Sequence, residues 1–239
     1  MVLWANFWVF LGVLAVVALL CYREFSGIAE GYGFGPPGPL GYGAGLLLLA
    51  APREGWLLVT ALAMAALALA ARTDNLAKSL PRAALLVTGV AYIFGCWKCA
   101  IPLRELNRHW LMYGLLVNWA GDAGAYYVGR RFGRHRMAAR VSPQKSWEGA
   151  AASAVTSVLL AGAYLVRFVP GVAIWQAAAL TVAANAAGQI GDLAESAMKR
   201  GAGVKDSGGI LPGHGGLLDR VDSTLFALPV VYAWLKFVA

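Results

Sequence analysis

Residues 188–223 read GQIGDLAESAMKRGAGVKDSGGILPGHGGLLDRVDS, a concentration of ionisable side chains in an otherwise apolar chain. Asp192, Glu195, Ser196 and Lys199 fall at i, i+3, i+4 and i+7, so a helix would set all four along one face. Lys199-Arg200 is followed by a Gly-rich stretch holding Lys205-Asp206, and Gly213-His214-Gly215-Gly216 leads into Asp219-Arg220 and Asp222. Glycines let backbone N–H groups approach an anion closely. Lys and Arg bring positive charge to phosphates. Asp192 and Asp219 offer the hard oxygen ligands of Mg2+, which typically takes one or two carboxylates and completes its shell with substrate phosphates. The chemistry open to such a set is the handling of polyanions with a divalent cation. The plainer alternative is a solvated loop. Two acids and a lysine on an apolar helix weigh against it, because ionisable groups beside a bilayer are expensive and usually mark a site.

A second polar set lies upstream. Asp122, in Gly121-Asp122-Ala123-Gly124-Ala125-Tyr126, ends an otherwise apolar segment, and a basic loop follows over 130–145. The loop runs into Ser142-Pro143-Gln144-Lys145-Ser146-Trp147-Glu148-Gly149. Ser142-Pro143 predicts a helix start, with proline in the first turn. Ser142, Lys145 and Ser146 would then stand near a helix N-terminus, which favours phosphate. A simple N-cap beside a basic loop accounts for the same residues equally well.

The elements that carry these residues are membrane helices. Of the 239 residues, 59% are hydrophobic and 13% charged. Mean hydropathy is +0.62. Soluble domains carry about 25% charged residues. Runs such as 7–21 and 56–71 have no polar stripe, and several such runs cannot hide in one soluble core of this size. An all-α, polytopic membrane protein is predicted, a single domain over 1–239. About eight transmembrane helices are expected near 3–21, 39–52, 55–71, 83–103, 108–129, 150–168, 171–198 and 222–238. No basic region precedes the first apolar run and no cleavage site follows it, so that run reads as a retained span and not a signal peptide. The net charge of +8 fits cytoplasmic loops and an anionic substrate, with no nucleic-acid partner. With alternate connectors on one side, the 20 Lys and Arg fall there except Arg53, Lys98, Arg104, Arg108, Arg167 and Lys236. The positive-inside rule then sets both polar stretches on the cytoplasmic face. Two patterns carry no function. Gly33-x-Gly35-x-x-Gly38 follows no strand and is filled with prolines. Cys96-x-x-Cys99 lacks a second Cys/His pair and reads as two small residues on a helix face.

The run from Ser196 through Lys199-Arg200, Lys205-Asp206, His214 and Asp219-Arg220 to Asp222 resembles, without departure, the signature of the phosphatidate cytidylyltransferase (CDP-diacylglycerol synthase) family. Asp122-x-x-Ala125-Tyr126 and Ser142-Pro143-x-Lys145-x-x-Glu148-Gly149 resemble it too. The likeness is specific over 118–149 and 188–223; at the N-terminus the chain is shorter than the family pattern by about one span. The resemblance implies that CTP and phosphatidate give CDP-diacylglycerol and pyrophosphate, with Mg2+, at the cytoplasmic side of a bacterial inner membrane. Two metals would clamp the attacking and leaving oxygens; a second cation of another identity stays open, as does a homodimer. In that setting Asp192 and Asp219 become metal ligands. Lys199, Arg200, Lys205 and Arg220 serve phosphates, with Ser196 beside them, and Ser142 and Lys145 serve CTP or the lipid phosphate. Asp206 and His214 join the catalytic set, and Asp122, Glu148, Glu195 and Asp222 support it. The nucleophile is an ionised phosphate oxygen, so no strong general base is required. Two rival readings stand beside this one. One is another CTP-dependent lipid-activating enzyme, such as a CDP-archaeol-type synthase or a lipid kinase. The other is a transporter, against which the absence of an internal repeat counts.

Overall fold

The computed structural model describes residues 2–36, 38–51, 55–70, 75–210, 212–213 and 215–238. Among them the apolar runs form eight helices, counting α4 and α6, which continue through short irregular turns, as one each. They are α1 (Phe7–Gly31), α2 (Gly38–Ala50), α3 (Gly55–Ala70), α4 (Leu76–Leu106), α5 (Arg108–Phe132), α6 (Trp147–Phe168), α7 (Ile174–Gly201) and α8 (Leu218–Phe237). Helix is the form in which an apolar run satisfies its own backbone without water. Among the described residues three helices, α1, α4 and α6, are long and apolar enough to cross a membrane. Helices α5 and α7, of 25 and 28 residues, are long enough but carry the polar residues described below. Wide π-type turns interrupt α4 at Ala91–Gly95 and α6 at Val158–Gly162.

Two local expectations change. The first helix does not stop at 21 before the Tyr-Arg-Glu sequence. It continues to Gly31, because Tyr22, Glu24, Phe25 and Ser26 are buried and Glu24 has partners of its own. The chain turns away at Gly33, whose φ of 76° is open to glycine at little cost. Ser142-Pro143, in turn, begins no helix. Ser142–Ser146 is a strand, β2, paired antiparallel with β1 (Arg136–Ala138). Proline is tolerated in such a two-stranded edge, where no further ladder bond is lost. The helix begins one turn later at Trp147, with Ser146 as its N-cap: Ser146 Oγ accepts the Gly149 N–H at 3.2 Å.

The chain sorts into two compact units. One comprises Trp8–Lys98 and Gly201–Asp219. Its core is the aromatic cluster of Tyr22, Phe25, Tyr42 and Phe94, with Tyr22 edge-on to Tyr42 at 4.9 Å between centroids. A Cβ at Gly45 would overlap the Phe94 ring, and one at Gly89 would meet Phe25, so small residues set the helix spacing. Lys98 Nζ donates to the Leu48 and Ala51 carbonyls at the end of α2, at 2.7 and 2.5 Å, placing a cation where the helix dipole favours it.

The other unit comprises Met1–Phe7, Cys99–Arg200 and Arg220–Ala239. Here α5 and α6 pack closely: a Cβ at Gly124 would meet Thr156 and the Ala152 carbonyl, and Ser157 Oγ donates to the Val117 carbonyl at 2.7 Å. Tyr113 and Thr181 share a buried hydroxyl contact of 2.9 Å between α5 and α7. Arg104 and Arg108 hold the N-terminal residues by donating to the carbonyls of Val2, Ala5 and Leu3.

Candidate active site

In this second unit β2, α5, α6 and α7, with Ser223 of α8, line a cavity of about 760 Å³. Lys145 reaches in from β2, and its Nζ lies 2.5 Å from Asp192 Oδ2. Ser196, one turn further along α7, donates from Oγ to Asp192 Oδ1 at 3.3 Å. Asp122 of α5 lines the same cavity. Asp122 and Asp222 both stand near enough to Asp192 to feel its like charge, and Lys145 offsets that repulsion. Ser142, Gln144, Arg130 and Arg136 complete the charged end. Arg130 Nη1 donates to the Tyr126 hydroxyl at 2.8 Å.

One turn before Asp122 is Asn118; one and two turns before Asp192 are Gln189 and Asn185. These amides also line the cavity. Asn185 Nδ2 donates to Ser153 Oγ and Ser157 Oγ at 2.9 and 3.1 Å, and Gln189 Nε2 donates to Asn185 Oδ1 at 2.6 Å. Asn118 Nδ2 donates to the Gly114 carbonyl and to Thr224 Oγ1. Gly121 makes space for the network: its Cβ would fall 2.5 Å from Ser153 Oγ and 2.6 Å from Asn185 Nδ2. Buried polar groups of this kind persist when each is bonded.

The remaining residues singled out from the sequence take different places. Glu148 closes the β1–β2 hairpin. Its carboxylate accepts the Arg134 and His135 N–H groups and lies 2.6 Å from His135 Nδ1. Asp192, Glu195, Ser196 and Lys199 split into two i,i+4 pairs. Asp192 and Ser196 line up toward Lys145, whereas Glu195 is fully buried against Lys199 at 2.6 Å. Lys199 is itself buried, so its charge is met by Glu195 in this structure. Arg200 Nε donates to the Val141 carbonyl at 3.4 Å. Asp222 is buried and accepts the Ser223 N–H at 2.6 Å. Arg220 is exposed on the first turn of α8.

Lys205, Asp206 and Asp219 belong to the first-described unit, in the segment that joins α7 to α8. Lys205 and Asp206 are exposed. Asp219 ties the segment together: Ser207 N–H donates to both of its oxygens at 3.0 and 3.2 Å, and Gly216 N–H donates to Oδ2 at 2.7 Å. The left-handed turns at Gly203 and Gly215, φ 75° and 79°, require glycine. His214 lies outside the described residues.

Among the described residues, no three or more His, Cys, Asp or Glu side chains are placed to hold a metal by themselves. Mg2+ needs less, one or two carboxylates and the substrate's phosphates, and Asp192 presents a carboxylate to the cavity in a locally acidic setting. Asp219 fits less freely, since a metal would share its carboxylate with the Ser207 and Gly216 amides. Asn118, Asn185 and Gln189 carry no charge that would mark them in the sequence. Their signal was present in the spacing: each sits three to seven residues from an acid on an apolar helix, where polar side chains are costly.

Apolar helices, three of them long enough among the described residues to cross a membrane, define a helical membrane protein, and one of its units holds a polar cavity with Lys145 paired to Asp192. The profile of the cytidylyltransferase family matches residues 1–238, and the chain belongs to that family. It is similar to the phosphatidate cytidylyltransferase of Bacillus subtilis, 42% identical over 145 residues, 59% of this chain and 54% of that protein. It is also similar to the proteins of that name from Staphylococcus saprophyticus, 38% identical over 149 residues, and Staphylococcus aureus strain COL, 40% over 151 residues. Each of those two matches covers 62% of this chain and 57% of the relative. The chain thus spans a little over half the length of the curated relatives it matches.

Proposed function

We propose that this protein transfers the cytidylyl group of CTP to phosphatidate, giving CDP-diacylglycerol and pyrophosphate in phospholipid biosynthesis. The observation that carries the reading is the Lys145–Asp192 pair at 2.5 Å in a polar cavity of about 760 Å³, in a chain of the cytidylyltransferase family. An ionised phosphate oxygen of phosphatidate attacks the α-phosphorus of CTP. The new P–O bond forms as the bond to the β-phosphate oxygen breaks, and pyrophosphate departs with its charge. No proton has to be removed from the nucleophile, so the residues work by positioning and by stabilising charge. Lys145 and Ser142 orient a phosphate in the cavity. Arg200, Lys205 and Arg220 supply further cations, and Lys199 does so by exchanging Glu195 for substrate. Asp192 would hold Mg2+, and Asp219 is a separate candidate metal ligand in its own unit; the ion, when bound, would neutralise charge shared between attacking and leaving oxygens. The neutral amides of Asn118, Asn185 and Gln189 orient uncharged parts of a substrate.

We further read the eight helices as spans of a bacterial inner membrane with the polar segments facing the cytoplasm, where CTP is made. Incubating purified protein with phosphatidate and CTP labelled at the α- or γ-phosphate tests the reaction. α-Label should enter lipid only when Mg2+ is present. γ-Label in lipid would mark a kinase, and label in neither would end the assignment.

A further inference from the structure

Glu24 stands in α1, within one of the long apolar helices, yet it is 4% exposed. A buried carboxylate is costly unless its oxygens are satisfied. Among the described residues its three donors come from the segment that leads into α8. Leu217 N–H donates to Oε1 at 3.0 Å, Leu218 N–H to Oε2 at 2.7 Å, and Ser207 Oγ to Oε2 at 3.1 Å. Leu218 is the first residue of α8, so Glu24 from α1 serves the otherwise orphaned amides of a helix N-terminus. The segment is also shaped around this side chain. A Cβ on Gly208 would fall 2.7 Å from Glu24 Oε1, and one on Gly216 would fall 2.6 Å from Oε2. Ser207 is gripped twice, its N–H by Asp219 and its hydroxyl by Glu24, directly after Lys205 and Asp206.

We propose that Glu24 is a positioning residue. Its carboxylate fixes segment 205–219 and thereby sets where Lys205, Asp206 and Asp219 stand. The ordering follows from the contacts alone. The consequence for turnover rests on the cytidylyl-transfer reading.

Hydrogen exchange of the full-length protein, followed by mass spectrometry of peptides covering 204–218, measures the ordering without any substrate. In Glu24→Gln one oxygen becomes an N–H2 group facing an N–H donor. Amides of the segment should exchange about tenfold faster or more, as expected when charge-assisted bonds are lost, while peptides of α5 and α6 are unchanged. Gly208→Ala should loosen the segment similarly in the wild-type background. It should add nothing in Glu24→Ala, where its steric partner is gone. Wild-type exchange rates in Glu24→Gln, or additive effects of Gly208→Ala and Glu24→Ala, would overturn the proposal. Should Glu24→Ala fail to fold, Glu24→Gln and Gly208→Ala still decide it. In the labelled-CTP assay, Glu24→Gln should lower kcat at saturating CTP by about tenfold or more with little change in melting temperature. Unchanged kcat alongside a loosened segment would refute the catalytic consequence. A wild type that incorporates no label would refute the functional reading and leave the ordering result standing.

Discussion

Lys145→Ala separates the two parts its side chain plays. Its Nζ is 2.5 Å from Asp192 Oδ2, with side chains 26% and 31% exposed. At an effective dielectric near 20, Coulomb's law gives roughly 6–7 kcal/mol of gross attraction at that distance. Most of it is offset by desolvation and by screening through the open part of the cavity. Double-mutant cycles on solvent-accessible pairs leave about 0.2–1 kcal/mol of net coupling. If Lys145 were only the counter-ion of Asp192, its removal would cost about that much stability, and activity would fall only through loss of folded protein. If it also holds phosphate in the transition state, the rate constant should fall by about 10²–10³, or roughly 2.7–4 kcal/mol. The assay pairs thermal unfolding in detergent with steady-state transfer of α-labelled CTP into lipid, both run on Lys145→Ala, Asp192→Asn and the double variant. Because both residues serve one step, the double variant should be about as slow as Asp192→Asn alone, whereas independent roles would multiply. A Lys145→Ala enzyme with kcat/KM within threefold of wild type and a lowered melting temperature would refute the phosphate role.

Asp219→Asn should abolish Mg2+-dependent transfer without preventing membrane insertion; near-normal turnover would show that the carboxylate serves the loop and no metal. Gly121→Ala pushes a methyl into Ser153 and Asn185 and should cost about 1–3 kcal/mol of stability, read by thermal unfolding. Gly43→Ala, with open space around its Cβ, should be nearly neutral, and equal losses in the two variants would refute the packing argument. Lys205→Ala should raise the CTP concentration needed for half-maximal rate or lower kcat, and an unaltered rate at every CTP concentration would remove it from the site. In a chain freed of Cys21, Cys96 and Cys99, Ala139→Cys on the β1–β2 turn should react with an impermeant thiol reagent from the cytoplasmic side only. Labelling only from outside would reverse the topology.

Composition and apolar run length already determined that the chain is helical, since a run such as 56–71 has no other way to satisfy its backbone away from water. Charge spacing likewise singles out Asp192, because an acid is rarely left on an apolar helix without a task, whereas Lys145 and Asp219 stand out only as charges within basic and Gly-rich stretches. Local chemistry misled at two points. Proline after Ser142 looked like a helix start, but only the pairing of β1 with β2, together with the Ser146 cap, shows where α6 begins. The first span is expected over 3–21, yet its helix runs on to Gly31, because Glu24 finds its donors nearly two hundred residues away in sequence. Partnership was likewise invisible. Asp192 and Lys199 share a helix face and look alike in sequence, but one opens onto a cavity and the other is buried against Glu195. Burial and long-range donors depend on which helices pack together, and that is decided by shape, by glycines such as Gly121 and Gly208 that leave room, and by the need to satisfy every polar group taken out of water.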